Sequence, residues 1–102
     1  MKSAIVKLID FDPEGIPDGS HYIFDIDGRI ITVEDWMNSS ASGREFYEGG
    51  GFVDLANETT NAIDALIKRV NSLWQDAWAE SIQPIHERER AKVVTRVKAE
   101  TE

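Results

Sequence analysis

Residues 21–34 read His-Tyr-Ile-Phe-Asp-Ile-Asp-Gly-Arg-Ile-Ile-Thr-Val-Glu, and this stretch decides the fold. Apolar and β-branched residues flank a central Asp27-Gly28 pair on both sides. Such a pair suits a two-residue type I′ turn, whose central residues both need positive φ. The flanking runs, 21–26 and 29–34, are therefore expected to be the strands of an antiparallel hairpin. Upstream, residues 3–11 are β-branched and apolar and should add a third strand. Between them, residues 12–20 are dense in Pro, Gly and Asp and read as a loop. The result is a strand meander over 1–37. It should close on a short helical turn, because Thr32 to Asp35 has the spacing of an N-cap with an acid at N3.

Working outward, residues 38–51 are small and polar and end in Gly49, Gly50 and Gly51. They read as a flexible loop and hinge. Over 53–82 the period changes to that of a helix. Ala56, Ile63, Leu66, Ile67, Val70, Leu73, Trp74, Ala77 and Trp78 make a wide apolar stripe,. Pro84 lies just beyond. A helix of that span would be roughly 40–45 Å long, longer than a small domain is wide. Its stripe is therefore expected to overhang the sheet. Ile63, Leu66, Val70, Leu73, Trp74 and Trp78 are then a candidate oligomer face, for a homodimer through the long helix. Residues 86–102 are a strand or charged tail. Their alternation over 91–101 favours a C-terminal strand, with a helix as the alternative. The expected fold class is α+β: a small antiparallel sheet, three strands plus this fourth, packed against one long amphipathic helix. All of it fits a single domain over 1–102.

The composition narrows the chemistry. Of 102 residues, 41% are hydrophobic and 29% charged, enough for one globular core,. There is no cysteine, which excludes disulfides, thiolate nucleophiles and thiolate-held metals,. No cofactor motif is present: Gly49–Gly51 lacks the Gly-Lys-Ser/Thr ending of a phosphate loop. His21 and His86 lack metal-ligand spacing, so no metal site is expected. The apolar start is short and carries Lys7, unlike a signal peptide. No run approaches the roughly 18 apolar residues of a membrane span. A cytoplasmic setting is the expectation.

Charge gives the functional lead. The net charge is −8. All of it lies in residues 1–60, with four cations against twelve acids, whereas 61–102 is balanced. Residues 10–35 hold eight acids and only Arg29. Such a surface repels nucleic-acid phosphates and anionic membranes. It suits a protein partner with a basic surface, such as a nucleic-acid-binding enzyme. Asp10, Asp12, Glu14, Asp18, Asp25 and Asp27 are the candidate partner-binding residues. Binding or inhibition, rather than catalysis, is the expected role. The analogy in size and charge is to small bacterial immunity proteins, antitoxins and phage-encoded inhibitors.

Two acidic motifs carry alternatives. Tyr22 to Arg29 resembles the first motif of the haloacid-dehalogenase-like phosphatases, an apolar strand ending in Asp-x-Asp-Gly-Thr. Arg29 replaces the Thr. The resemblance implies Asp25 as nucleophile and Asp27 as acid/base, within a much larger parallel sheet. The hairpin turn explains the same residues. Asp10-x-Asp12-x-Glu14-Gly15 starts like an EF-hand loop, but Pro13 and Pro17 interrupt it and His21 stands at the twelfth position,.

Overall fold

The computed structural model describes residues 4–13, 19–37 and 42–101. Five strands are followed by two helices: β1 (Val6–Asp12), β2 (Gly19–Ile26), β3 (Arg29–Met37), β4 (Ser42–Glu48), β5 (Gly51–Phe52), α1 (Asn57–Glu80) and α2 (His86–Thr101). The strands form one antiparallel sheet in chain order. The fold is α+β, with the sheet packed against helices.

The Asp27-Gly28 turn is as expected, with φ of 53° and 87°. It pairs Ile26 with Arg29 and sets the β2–β3 register. Leu8, Tyr22, Phe24, Ile31 and Val33 then fall on one face and are buried. β1 keeps to this pattern through a bulge: its register shifts between Leu8 and Asp10. The extra residue re-aims the strand, so Leu8 and Phe11, three apart, both face the core,. Phe11, Tyr22 and Phe24 stack in a row, with centroids 6.3 and 6.2 Å apart.

Three expectations are corrected. The helical turn at Thr32 does not form, because β3 runs on to Met37. Its ladder is satisfied by β4, in the segment read as a loop. A β-ladder offers each backbone group a partner, which a single capping hydrogen bond cannot match. The glycine hinge is a second tight turn: Gly49 and Gly50, at φ of 60° and 84°, join β4 to β5. The C-terminal strand is a helix. Val93 and Val97 are four apart, a spacing that shares a face at period two and at period 3.6 alike. Glu89, one turn earlier, completes the buried face of α2, while Ala91 and Ala99 are exposed.

α1 spans 24 residues rather than 30, and Ala56 stands at its start as an exposed N-cap. Ile63, Ile67, Val70 and Trp74 are buried against the sheet, with Leu66, Leu73 and Ala77 packed beside them. Arg44 of β4 bridges Asp35 of β3, at 3.0 Å, and Asp64 of α1. Arg90 of α2 reaches both oxygens of Asp10 at 2.6 Å, tying the second helix to β1. Among the described residues no helix is long and apolar enough to cross a membrane.

α2 begins on a buried carboxylate. Glu89 accepts the Ile85 N–H, the Arg88 guanidinium and the Lys92 ammonium, each at 3.0 Å. The backbone bond foremost, then Lys92 and Arg88, hold its carboxyl down to about 2, from an ordinary 4.5. A depressed carboxyl contributes fully above its unfolded pKa and loses that contribution as the pH falls to the folded value. Acid unfolding followed by circular dichroism should therefore steepen between pH 4.5 and about 2, and Glu89→Gln should flatten that part of the curve. At the other helix, Ala56 has extended geometry but no side-chain acceptor. Ala56→Asp should stabilise the protein by about 0.5–1 kcal/mol, read as a rise in denaturation midpoint.

Candidate protein-binding face

Side chains alternate across a strand, so the register that builds the core also builds the opposite face. On that face Lys7 lies beside Asp25 and Ile30. The next row runs Ile23, Thr32, Tyr47, Phe52. Beyond it come Asp12, His21, Glu34 and Glu45, and then Trp36 beside Gly43. The helices pack on the other side. Ile30, Trp36 and Phe52 remain 51%, 39% and 77% exposed.

The same register sorts the charges. The strand arginines, Arg29 and Arg44, share the parity of the buried residues and turn toward the helix side. There each finds an acid: Arg29 makes a two-pronged pair with Glu48 at 2.7 and 2.9 Å, and Arg44 bonds Asp35. Lys7 is the one strand cation on the open face among the described residues. Glu34 stands directly opposite Glu45 in the β3–β4 pairing. Like charges so placed repel. Neither has a Lys or Arg partner among the described residues; His21 Nδ1 lies 3.7 Å from Glu34. The Tyr47 hydroxyl donates to Glu45. That bond, with burial second, pushes the phenol up to about 12, so it stays a neutral donor. The Trp36 indole packs close against Gly43: a Cβ there would sit 2.8 Å from ring carbon Cζ2. Tyr47 and Phe52 rings lie 4.8 Å apart.

At the β1 margin the start of α2 stands beside this face. It leaves a cleft of about 400 Å³ lined by Asp10, Asp12, His21, Ile23, His86 and Glu87 among others. Among the described residues, no three His, Asp or Glu gather to hold a metal ion.

The residues singled out from sequence divide as follows. Asp12 and Asp25 lie on the open face. Asp10 is at the bulge, held by Arg90. Asp27 is at the hairpin tip, where its Oδ1 accepts the Ile5 N–H at 3.0 Å. Asp25 Oδ1 accepts the Gly28 N–H at 2.8 Å. The paired aspartates thus close the turn and tie β1 to it, and the antiparallel meander differs from the parallel sheet that the phosphatase resemblance implies. Glu14 and Asp18 lie outside the described residues. The expected oligomer face turns inward: Ile63, Val70 and Trp74 are buried, Leu66 and Leu73 are packed against the core, and only Trp78 is exposed, at 39%. Trp78 and Trp74 instead pack around the His86 ring. Sequence reasoning missed Glu34, Trp36, Glu45, Tyr47 and Phe52 as one surface. The alternation Thr32-Glu34-Trp36 and Gly43-Glu45-Tyr47 was the available signal.

Comparison with known protein families, curated proteins and solved structures finds no match to this chain. Gly43→Ala should move the Trp36 ring, which is half-exposed and free to yield, and change stability by less than about 1 kcal/mol. A two-dimensional NMR spectrum should show a displaced Trp36 indole N–H with the core resonances unmoved.

Proposed function

We propose that this is a small acidic protein-binding protein that presents the open face of its sheet to a basic partner surface, in the manner of an inhibitor or immunity protein rather than an enzyme. One observation carries the reading. In the sheet half and its link to α1, Asp25, Asp27, Glu34, Glu45 and Asp54 make no ion pair with Lys or Arg among the described residues. In the helices Asp64, Glu87, Glu89 and Glu100 have one and Glu58, Asp76 and Glu80 do not, but Lys and Arg equal Asp and Glu in number over residues 61–102, so that half carries no net charge. The uncancelled charge therefore collects on the sheet half. It is interleaved with exposed aromatic and aliphatic residues, the mix that protein interfaces favour. Carboxylates at such a surface steer association and discriminate between partners. A cytoplasmic setting goes with this reading.

Assembly through α1 draws no support from the buried stripe. Hydrolysis by Asp25 and Asp27 draws none from carboxylates engaged with backbone N–H groups.

The test is affinity capture followed by measured binding. A basic protein partner is expected, with affinity falling tenfold or more between about 50 and about 300 mM salt. Asp12→Asn with Asp25→Asn should weaken it several-fold. The amide oxygen introduced by Asp25→Asn still accepts the Gly28 N–H, so the fold survives. A partner indifferent to salt and to both changes would refute the reading.

A further inference from the structure

We infer that the open face reads arginine: a guanidinium from the partner sits between Glu34 and Glu45, flanked by the Trp36 indole and the Tyr47 ring, while the apolar residues of the same partner segment lie along Ile23, Ile30 and Phe52. This deepens the binding reading and rests on it.

Directly opposed residues of an antiparallel pair hold their Cβ atoms about 4.5–5.5 Å apart. Glu34 and Glu45 occupy such a position with no Lys or Arg beside them among the described residues; the Tyr47 hydroxyl donates to Glu45 and His21 Nδ1 lies 3.7 Å from Glu34, but neither is a permanent positive charge. Elsewhere the sheet follows the opposite rule, since Asp35 faces Arg44 one position along. A local rule broken on an exposed face is characteristic of a functional site. The cation that would relieve this pair must come from outside.

The surroundings select the kind of cation. Two carboxylates on opposed residues offer several lone pairs close together,. A guanidinium answers with five donors in a planar fork, where an ammonium is a compact and strongly hydrated charge. The Tyr47 hydroxyl holds Glu45 in place from one side. On the other side the Trp36 ring, seated over Gly43, offers a flat exposed surface on which a guanidinium stacks,. Glycine is what lets the indole come this close, since a Cβ would crowd the ring. Ile30 lies four residues before Glu34 on the same strand, roughly 13 Å away at the rise of a β-strand. An aliphatic side chain four positions from the arginine in an extended segment, or about two turns away in a helix, would reach it.

A second copy of this chain is a poor occupant. All six of its arginines are already engaged: Arg29 with Glu48, Arg44 with Asp35 and Asp64, Arg69 and Arg96 with Glu100, Arg88 with Glu89, and Arg90 with Asp10 and Glu87. The partner is thus a different protein with a free arginine.

The probe is a short capped peptide alternating arginine with leucine, compared with its lysine counterpart, on isotope-labelled full-length protein. The expected result is a cluster of NMR shift changes at His21, Glu34, Trp36, Glu45 and Tyr47, with the arginine peptide binding about fivefold or more tightly than the lysine peptide. Glu34→Gln with Glu45→Gln should weaken binding by about tenfold while leaving the denaturation midpoint unchanged or raised, because repulsion is removed. A pair that mattered only to the fold would show the reverse, a lower midpoint with unaltered binding, and that result overturns the inference. So does equal affinity for the two peptides, or shifts confined to the helices. Binding that is lost in the Asp12→Asn, Asp25→Asn variant but untouched by the glutamate changes overturns the arginine site and leaves the acidic face standing. Absence of any salt-sensitive binding to basic peptides or proteins removes both. Concentration-dependent self-association through this face would replace the foreign partner with a second copy.

Discussion

The register imposed by the two-residue turn at Asp27-Gly28 is the constraint on which the rest of the structure depends. With a side-chain period of two, a slip of one residue would send Tyr22, Phe24, Ile31 and Val33 to solvent and bring Asp25, Thr32 and Glu34 into the core,. The turn excludes that slip by requiring positive φ at both central residues, a conformation that Asp tolerates and Gly adopts freely,. The two acids of the turn reinforce it from outside the core. Asp25 closes the loop on Gly28, and Asp27 fastens the start of β1 through Ile5.

Once the register is set, charge sorts itself without further instruction. Odd positions of β3 and even positions of β4 face the helices, so Arg29, Asp35, Arg44 and Glu48 meet on that side and neutralise one another. Their neighbours, Glu34 and Glu45, face away, opposite each other and with no Lys or Arg beside either among the described residues. The acidity of the first sixty residues is thus divided. Part of it clamps the sheet to the helices through Asp10–Arg90 and Asp35–Arg44–Asp64, and the remainder is displayed. The C-terminal segment, with Arg88, Arg90, Lys92, Arg96 and Lys98 against Glu87 and Glu89, settles beside the acidic β1 margin. It arrives there as a helix: Glu89, Val93 and Val97 would share a face in a strand as well, but Ala91, Thr95 and Ala99, which a strand would place on that face, are exposed.

Legibility followed the range of the interaction. The β2–β3 hairpin, the β1 strand and the body of α1 were readable because each depends on neighbours a few residues away: a turn pair, an alternating run, an apolar stripe at helical spacing. β4 was not. Its residues 42–48 look like loop in isolation, being small or charged apart from Phe46 and Tyr47. They become a strand because β3 provides an unsatisfied ladder beside them. The candidate site suffered the same way. Asp12 and Asp25 were visible as acids in an acidic stretch, but the pairing of Glu34 with Glu45 joins residues from two strands, one of which was unrecognised. Thr32 to Asp35 read as the start of a helical turn for the same reason.

What the sequence by itself determined is the local grammar: a tight hairpin, an amphipathic α1, a chain without thiol chemistry, and a negative charge confined to its first sixty residues. These follow from side-chain volume, backbone freedom at Gly and Asp, and simple counting. What only the tertiary structure decided is which face each side chain meets. That assignment turned the stripe of α1 inward, made the C-terminal segment a helix, placed the strand arginines on one side of the sheet and left Glu34, Glu45, Trp36 and Tyr47 together on the other. The physical reason is that a side chain's environment is set by the partner strand and the helix packed over it. Both are fixed by long-range burial, which no window of sequence contains.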